Sequence, residues 1–135
     1  MDMIKGRGAV GLLIVRVVAG LAFVQHGWPK FQHAFNWMGP DSSMPGILQA
    51  LAACSEFLGG FALILGLLTP LAAAGIACTM LVAIGLVHLP HGDPFVGQGG
   101  RSYELAAVYL STMIALLLLG PGSLSLDARL LRKKR

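Results

Sequence analysis

Four long apolar stretches, at about residues 9–28, 46–68, 70–89 and 104–120, make up most of this chain. Each comes close to the ~20 residues that an α-helix needs to cross the hydrocarbon core of a bilayer. The 135 residues are 56% hydrophobic and 12% charged, against about 45–50% and about 25% in soluble domains. A globular core of this size cannot hide that much apolar surface. The sequence therefore predicts an all-α integral membrane protein with one domain over 1–135.

The connections between the stretches predict an up-down-up-down four-helix bundle. Thr69-Pro70 leaves almost no loop between the second and third stretches, so these helices should form a tight antiparallel hairpin, with Pro70 opening the third helix. Four crossings place both termini on one side of the membrane. Lys5, Arg7 and the basic cluster at 129–135 predict that this side is the cytoplasm, since Lys and Arg accumulate there.

The C-terminal segment predicts a short amphipathic helix at the membrane interface. Gly120-Pro121-Gly122 ends the fourth stretch, Ser123 or Ser125 can cap a following helix, and Asp127 suits its first turn. No aromatic or polar groove accompanies the basic residues, so we expect contact with anionic lipid and no nucleic-acid binding.

Arg16 and Glu56 each interrupt a stretch that is otherwise apolar. A charge in hydrocarbon costs about 2.5–3.5 kcal/mol on insertion scales, so an unpaired one is rare. Counted inward from the ends of their stretches opposite the termini, the two residues lie at similar depths, ~18 Å and ~15 Å. We therefore predict that Arg16 and Glu56 form a buried ion pair, as a structural element or as the wall of a site in preference to a proton relay.

Further polar residues gather where the stretches end, on the side opposite the termini. Three readings of this group stay open. It can be interfacial solvation, because side chains at helix ends reach headgroups and water. His26 and His88 could ligate haem or a metal, although two histidines make no specific signature and we expect none. The group could also hydrogen-bond a quinone-like ligand entering from the bilayer. With the buried pair, the candidate ligand-binding or proton-exchanging residues are Arg16, His26, Lys30, Gln49, Glu56, His88 and Glu104.

No soluble catalytic motif is present. The chain has no phosphate loop, no dinucleotide-binding glycine fingerprint, no Cys-x-x-Cys and no nucleophile elbow. Cys54 and Cys78 fall at different depths in neighbouring stretches, so we expect no disulfide between them.

Several of these residues, in this order, resemble the DoxX family of small bacterial and archaeal membrane proteins. The resemblance covers nearly the whole chain and implies a four-helix protein of a prokaryotic inner membrane. It also implies a link to quinone-coupled sulfur oxidation or to membrane complexes that detoxify oxidants, as in some members, while most members have no established activity. The matching residues are Arg16, Gln25-His26-Gly27, Lys30, Phe31, Glu56, Gly59-Gly60, the run from Leu63 to Pro70, His88, Glu104, Gly120-Pro121-Gly122 and Ser125-Leu126-Asp127.

The leading functional hypothesis is an accessory subunit of a quinone-linked membrane redox system. A small solute or proton transporter is the alternative, and a structural anchor for soluble proteins is a third. Whether the chain itself catalyses a reaction is open. The expected partners are membrane lipids and redox-complex subunits, and the number of copies in an assembly is open.

Overall fold

A computed structural model describes the backbone of residues 4–133 and the side chains of residues 4–130. Residues 132–135 of the basic cluster at 129–135 therefore lie outside the described side chains. The helices are α1 (Gly6–Gln32), α2 (Gly46–Leu65), α3 (Thr69–Val82), α4 (Glu104–Leu119) and α5 (Leu126–Lys133), and a π-helical turn, Ala83–His88, continues α3. Three helical segments are long and apolar enough to span a bilayer: α1, α2, and α3 together with its π-helical turn. The fourth, α4, is a shorter apolar helix. The predicted all-α membrane bundle is confirmed.

Small residues bring α1 and α2 together as antiparallel neighbours. A Cβ atom on Gly20 would stand 2.6 Å from the carbonyl oxygen of Gly60, and one on Gly27 would stand 2.5 Å from the amide nitrogen of Phe57. Only glycine permits such close approach of two backbones, the usual device of helix packing in lipid. These two contacts fix the register of α1 against α2.

The helices form an open ring in chain order. α3 packs on both α2 and α4, whereas α1 and α4 touch only slightly. Side chains from all four helices fill the middle of the bundle. The largest of these fully buried apolar side chains are Phe23, Leu63, Ile76, Met113 and Leu116. We call the end of the bundle that carries residue 6, the α2–α3 turn and α5 the terminal end, and the opposite end the loop end.

The predicted tight turn and C-terminal cap both form at the terminal end. Gly66 ends α2 in the left-handed region (φ 64°), and Pro70 lies in the first turn of α3. Ser125 is the residue that caps α5, because its Oγ accepts the amide of Ala128 at 3.1 Å. Asp127 then caps α3 from outside, since its two carboxylate oxygens accept the amides of Leu68 and Thr69 at 2.7 and 2.9 Å.

The helices differ from the predicted spans at several points. The first helix begins at Gly6 and does not end at residue 28 but continues through Pro29 and Lys30 to Gln32, and the second ends at Leu65 and not at residue 68. The extension of the first helix brings Lys30 to Glu56, although it places a proline inside a helix. The third span changes from α-helix to π-helix after Val82, which hydrophobic periodicity could not indicate. Cys54 and Cys78 are both free thiols, as predicted.

Candidate ligand-binding site

The buried carboxylate of Glu56 pairs with Lys30. The Lys30 ammonium lies 2.6 and 2.7 Å from the two carboxylate oxygens. The Glu56 side chain is 2% exposed and that of Lys30 is 27% exposed. The ammonium also lies 4.7 Å from the centre of the Trp37 ring, close enough for a cation–π interaction. Glu56 is therefore neutralised near the loop end, where Lys30 reaches towards solvent.

The predicted Arg16–Glu56 ion pair is wrong. Arg16 is buried at the terminal end, where its guanidinium donates to the carbonyl oxygens of Pro121 and of Leu124, the latter at 2.7 Å. A Cβ atom on Gly66 would stand 2.6 Å from the Arg16 Nη1. Arg16 thus packs beside the α2–α3 turn and fastens the segment between α4 and α5.

Helix register explains the error. The depth estimate aligned residue 28 with residue 46 at the loop end, but the glycine contacts place Gly27 opposite Phe57. At 1.5 Å per residue, Arg16 lies about 16 Å farther down α1 than Gly27. Glu56 consequently faces the last turn of α1, where Lys30 lies.

The Lys30–Glu56 pair forms a wall between two cavities. The larger has a volume of about 420 Å³ and lies mainly between α2 and α3. Small side chains on the facing helices leave its space free, notably Ala52, Gly75 and Thr79. The apolar residues at its outward-facing rim are Leu48, Leu51, Val82 and Leu86. Such a groove suits an apolar chain, with the ion pair at its polar end.

Gln49 holds the connection between α1 and α2 over the larger cavity. Its side-chain amide donates to the Met44 carbonyl at 2.9 Å, and its Oε1 accepts the Met38 amide at 3.0 Å. The indole of Trp37 donates to the Gln49 carbonyl at 2.9 Å. Gln49 is 4% exposed. It lines the cavity, but its side-chain amide is already hydrogen-bonded to the loop between α1 and α2.

The smaller cavity, of about 250 Å³, lies on the other side of the pair, where α1 and α4 separate. His26 and Phe23 line it from α1, Tyr109 from α4, and His88 from the π-helical turn. The Tyr109 ring packs against Phe23 at 4.7 Å between centroids and lies edge-on to His26 at 6.5 Å. This cavity therefore combines an aromatic wall with several groups that donate or accept hydrogen bonds.

The π-helical turn borders both cavities. Ala83 lines each of them, and His88, at the end of the turn, lines the smaller. The Leu89 amide donates to the Ile84 carbonyl, five residues back. Such wide turns interrupt α-helices most often at functional sites. Here the turn carries a histidine to the cavity between α1 and α4.

His88 is held from the loop between α3 and α4. Its Nδ1 lies 2.8 Å from Oδ2 of Asp93, which also accepts from Nε of Arg101 at 3.2 Å. The hydrogen bond from His88 holds the pKa of Asp93 below its ordinary value of 3.8. The positive charge of Arg101 also lowers this pKa, whereas desolvation of the carboxylate raises it without cancelling the other effects. Asp93 is therefore an ionised acceptor at neutral pH.

The structure brings together part of the predicted site. Lys30, Glu56, His26 and His88 meet at the smaller cavity. Glu104 does not join them, because it opens α4 on the exposed surface, where a carboxylate favours the helix dipole.

Three participants were not among the predicted site residues. Tyr109 is a hydroxyl-bearing residue within an apolar stretch, which could have signalled it. Trp37 lies in the connection between α1 and α2, and Asp93 in the connection that leads to α4. Outside the apolar stretches, neither residue type gives a comparable signal. Within residues 4–133, no three His, Cys, Asp or Glu side chains converge as a metal site.

Comparison with known proteins supports the resemblance. The DoxX family model matches residues 11–89. The chain is 32% identical to "Putative oxidoreductase CatD" of Bacillus subtilis (strain 168), over 93% of this chain and 91% of that protein. It is 30% identical to "Inner membrane protein YqjF" of Escherichia coli (strain K12), over 93% and 95% of the two chains. No solved structure matches the chain significantly.

The family match extends from the first helix to the end of the π-helical turn, so it includes Arg16, Lys30, Glu56 and His88. The relatives align over nearly the full chain and include a named inner membrane protein. These matches agree with the apolar helices in pointing to a prokaryotic membrane protein. The chain belongs to the DoxX family.

Proposed function

We propose that this protein binds a quinone-like amphipathic ligand and serves as an accessory subunit of a membrane redox system. The observation that carries the proposal is the Lys30–Glu56 pair, whose carboxylate is buried in a membrane bundle and which is bordered by a cavity on each side. Removing the charges of an ion pair from water costs free energy, which further hydrogen bonds to the charged groups can offset. A bound ligand can supply such hydrogen bonds.

The two cavities suit the two parts of such a ligand. The larger cavity is lined mostly by apolar side chains and has an apolar outward-facing rim, so it can take an isoprenoid or alkyl chain from the surrounding lipid. The smaller cavity offers His26, His88 and Tyr109 around the ion pair. An aromatic headgroup with oxygen substituents can stack on Tyr109 and form hydrogen bonds there.

The packing of the bundle favours ligand binding over permeation. Leu63, Ile76, Met113 and Leu116 are fully buried in its middle. A solute moving from the cavities to the terminal end would have to displace these close-packed side chains. The name of the CatD relative refers to an oxidoreductase, which is consistent with a redox setting for the proposed ligand.

Mass spectrometry of the purified protein tests this proposal. The protein is purified from its native membranes in mild detergent, and the extracted lipids are analysed for prenylquinones. We expect quinone to copurify with the wild type and to be lost from the charge-neutral variant Lys30→Met/Glu56→Gln. Arg129→Met is the matched control, because Arg129 is exposed on α5, away from the cavities.

The outcomes separate the competing functions. Absence of quinone from the wild type, or equal amounts in the wild type and the charge-neutral variant, contradicts quinone binding at this site. Uptake of a solute by proteoliposomes that Glu56→Gln abolishes would instead support transport. Unchanged capture of soluble partners by the charge-neutral variant would favour a structural anchor. Redox subunits that copurify with the wild type would identify the system it serves.

A further inference from the structure

The hydrogen bonds of His88 determine which of its ring nitrogens carries a proton. Its Nδ1 faces Oδ2 of Asp93 at 2.8 Å. An ionised carboxylate only accepts hydrogen bonds, so Nδ1 must be the protonated nitrogen. In neutral His88 the other nitrogen, Nε2, is then a bare acceptor. Among the residues that the structure describes, no partner satisfies Nε2, and His88 lines the smaller cavity.

We infer that neutral His88 makes the smaller cavity selective for the reduced, hydroxyl-bearing form of a quinone-type ligand over its oxidised, carbonyl-bearing form. The inference rests on the proposed function. A hydroquinone hydroxyl can donate to Nε2, whereas a quinone carbonyl would place two acceptors face to face. The His88 side chain is 22% exposed, so a ligand that leaves its Nε2 unpaired should lose about tenfold in affinity, near the low end of the effect for a fully buried acceptor.

The other polar groups around the cavity do not oppose this preference. The Lys30 ammonium can donate to a hydroxyl oxygen as well as to a carbonyl oxygen, so it does not exclude the reduced form. Both oxygens of Glu56 are engaged by Lys30. Tyr109 can donate or accept, and no partner among the described residues fixes the tautomer of His26. Ser102, which also lines the cavity, can likewise donate or accept. Asp93 therefore fixes the hydrogen-bonding role of His88, whereas the roles of Tyr109, Ser102 and His26 stay free to adapt to either ligand form.

Protonation of His88 would reverse its role at Nε2. An imidazolium donates from both nitrogens, so Nε2–H could then bind a quinone carbonyl. The charged groups that surround His88 are Asp93 and Arg101 from the loop, Lys30 from α1 and Glu56 from α2. We expect the preference for the reduced form to decrease as the pH falls.

Calorimetry on the detergent-solubilised protein measures this preference. A decyl-substituted benzoquinone and the corresponding hydroquinone are titrated under anaerobic conditions at pH 8. The wild type should bind the hydroquinone about tenfold more tightly. Asp93→Ala removes the acceptor that fixes the tautomer and should reduce the affinity ratio to about one, as should His88→Leu. These ratios are internal to each variant, so they do not depend on its overall stability.

Asp93→Asn is the discriminating variant. Its side-chain oxygen can still accept from both His88 and Arg101, so the tautomer and the preference should persist although the charge is gone. ¹⁵N NMR of labelled histidine reads the tautomer directly: Nδ1–H should dominate in the wild type and in Asp93→Asn, but not in Asp93→Ala. A purely structural role of Asp93 would leave this signature unchanged.

Three results overturn the inference, and the last differs from the first two in what it removes. Equal affinity for the two ligand forms in the wild type removes the selectivity, and an undiminished preference in Asp93→Ala removes its assignment to the His88 tautomer. Both leave quinone binding intact. Failure of the wild type to bind either form removes both the selectivity and the proposed function.

Discussion

Two cations, the buried Arg16 and the half-buried Lys30, illustrate different uses of charge in this bundle. At the terminal end, Arg16 binds backbone carbonyl oxygens in a closely packed region. Near the loop end, Lys30 binds a carboxylate between two cavities. The guanidinium fixes the path of the chain, whereas the ammonium–carboxylate pair leaves space that a ligand can enter. A charge inside a membrane span therefore indicates importance, and its surroundings indicate whether that importance is structural or functional.

Removal of the Arg16 charge should have the largest effect on stability. Arg16→Met leaves the Pro121 and Leu124 carbonyls unpaired and loses two charge-assisted hydrogen bonds, so we expect a loss of about 3–6 kcal/mol. Chemical denaturation in detergent measures the loss, with Arg129→Met as the control. The fraction that stays folded should bind ligand normally. A stable Arg16→Met protein that fails to bind the ligand would contradict the assignment of a structural role to the terminal end and of ligand binding to the loop end.

A double-mutant cycle on Lys30 and Glu56 tests the loop end. Either single substitution, Lys30→Met or Glu56→Gln, leaves an uncompensated charge and should cost about 1–3 kcal/mol, because Lys30 is partly exposed. The double variant should lose less than the sum of the single effects. The cycle of Arg16→Met with Glu56→Gln should be additive within about 0.5 kcal/mol, because these residues are far apart. Coupling in the second cycle would restore the rejected pairing.

The cap of α5 should make a smaller contribution to the terminal end. Ser125→Ala removes the hydrogen bonds of Oγ to the Ala128 amide and the Gly122 carbonyl, so we expect a loss of about 1 kcal/mol. Ser123→Ala should change stability by less than about 0.5 kcal/mol. Thermal unfolding of the two variants provides the comparison. Equal effects would show that the cap does not depend on Ser125.

The pH dependence of the loop end should be the most subtle effect. The folded-state pKa of Asp93 is lowered, so its contribution to stability is present above the unfolded value of 3.8 and is lost as the pH falls through the folded value. Asp93→Asn lacks this contribution at neutral pH. The difference in Tm between the wild type and Asp93→Asn should therefore narrow on acidification below 3.8. A constant difference would mean that the charge of Asp93 contributes nothing.

Apolar composition and turn residues were sufficient to predict the bundle, its tight hairpin and its C-terminal helix. Each of these depends on local chemistry, such as Pro70 at a helix start and Ser125 with Asp127 at a cap. That Arg16, Lys30, Glu56 and His88 need polar partners was also predictable, because polar side chains are costly in apolar surroundings. The pairing of these residues was not.

Pairing depends on helix register, which span boundaries do not determine. Gly20 and Gly27 set that register through contacts with Gly60 and Phe57, and an error of a few residues in either span changes the partner of Glu56. The π-helical turn has a similar consequence, since it decides where His88 lies relative to Asp93. These features arise from packing between helices and leave no periodic signal within one helix.

The hydrogen bonds from Arg16 to the segment between α4 and α5 have a consequence for biosynthesis. Arg16 enters the membrane early, yet one of its acceptors, Leu124, follows 108 residues later. The guanidinium must therefore remain in contact with water, headgroups or the insertion machinery until the segment that carries Pro121 and Leu124 has been synthesised. Docking of that segment thus becomes a late locking step of membrane assembly, and a chain truncated before Leu124 would be a substrate for quality control.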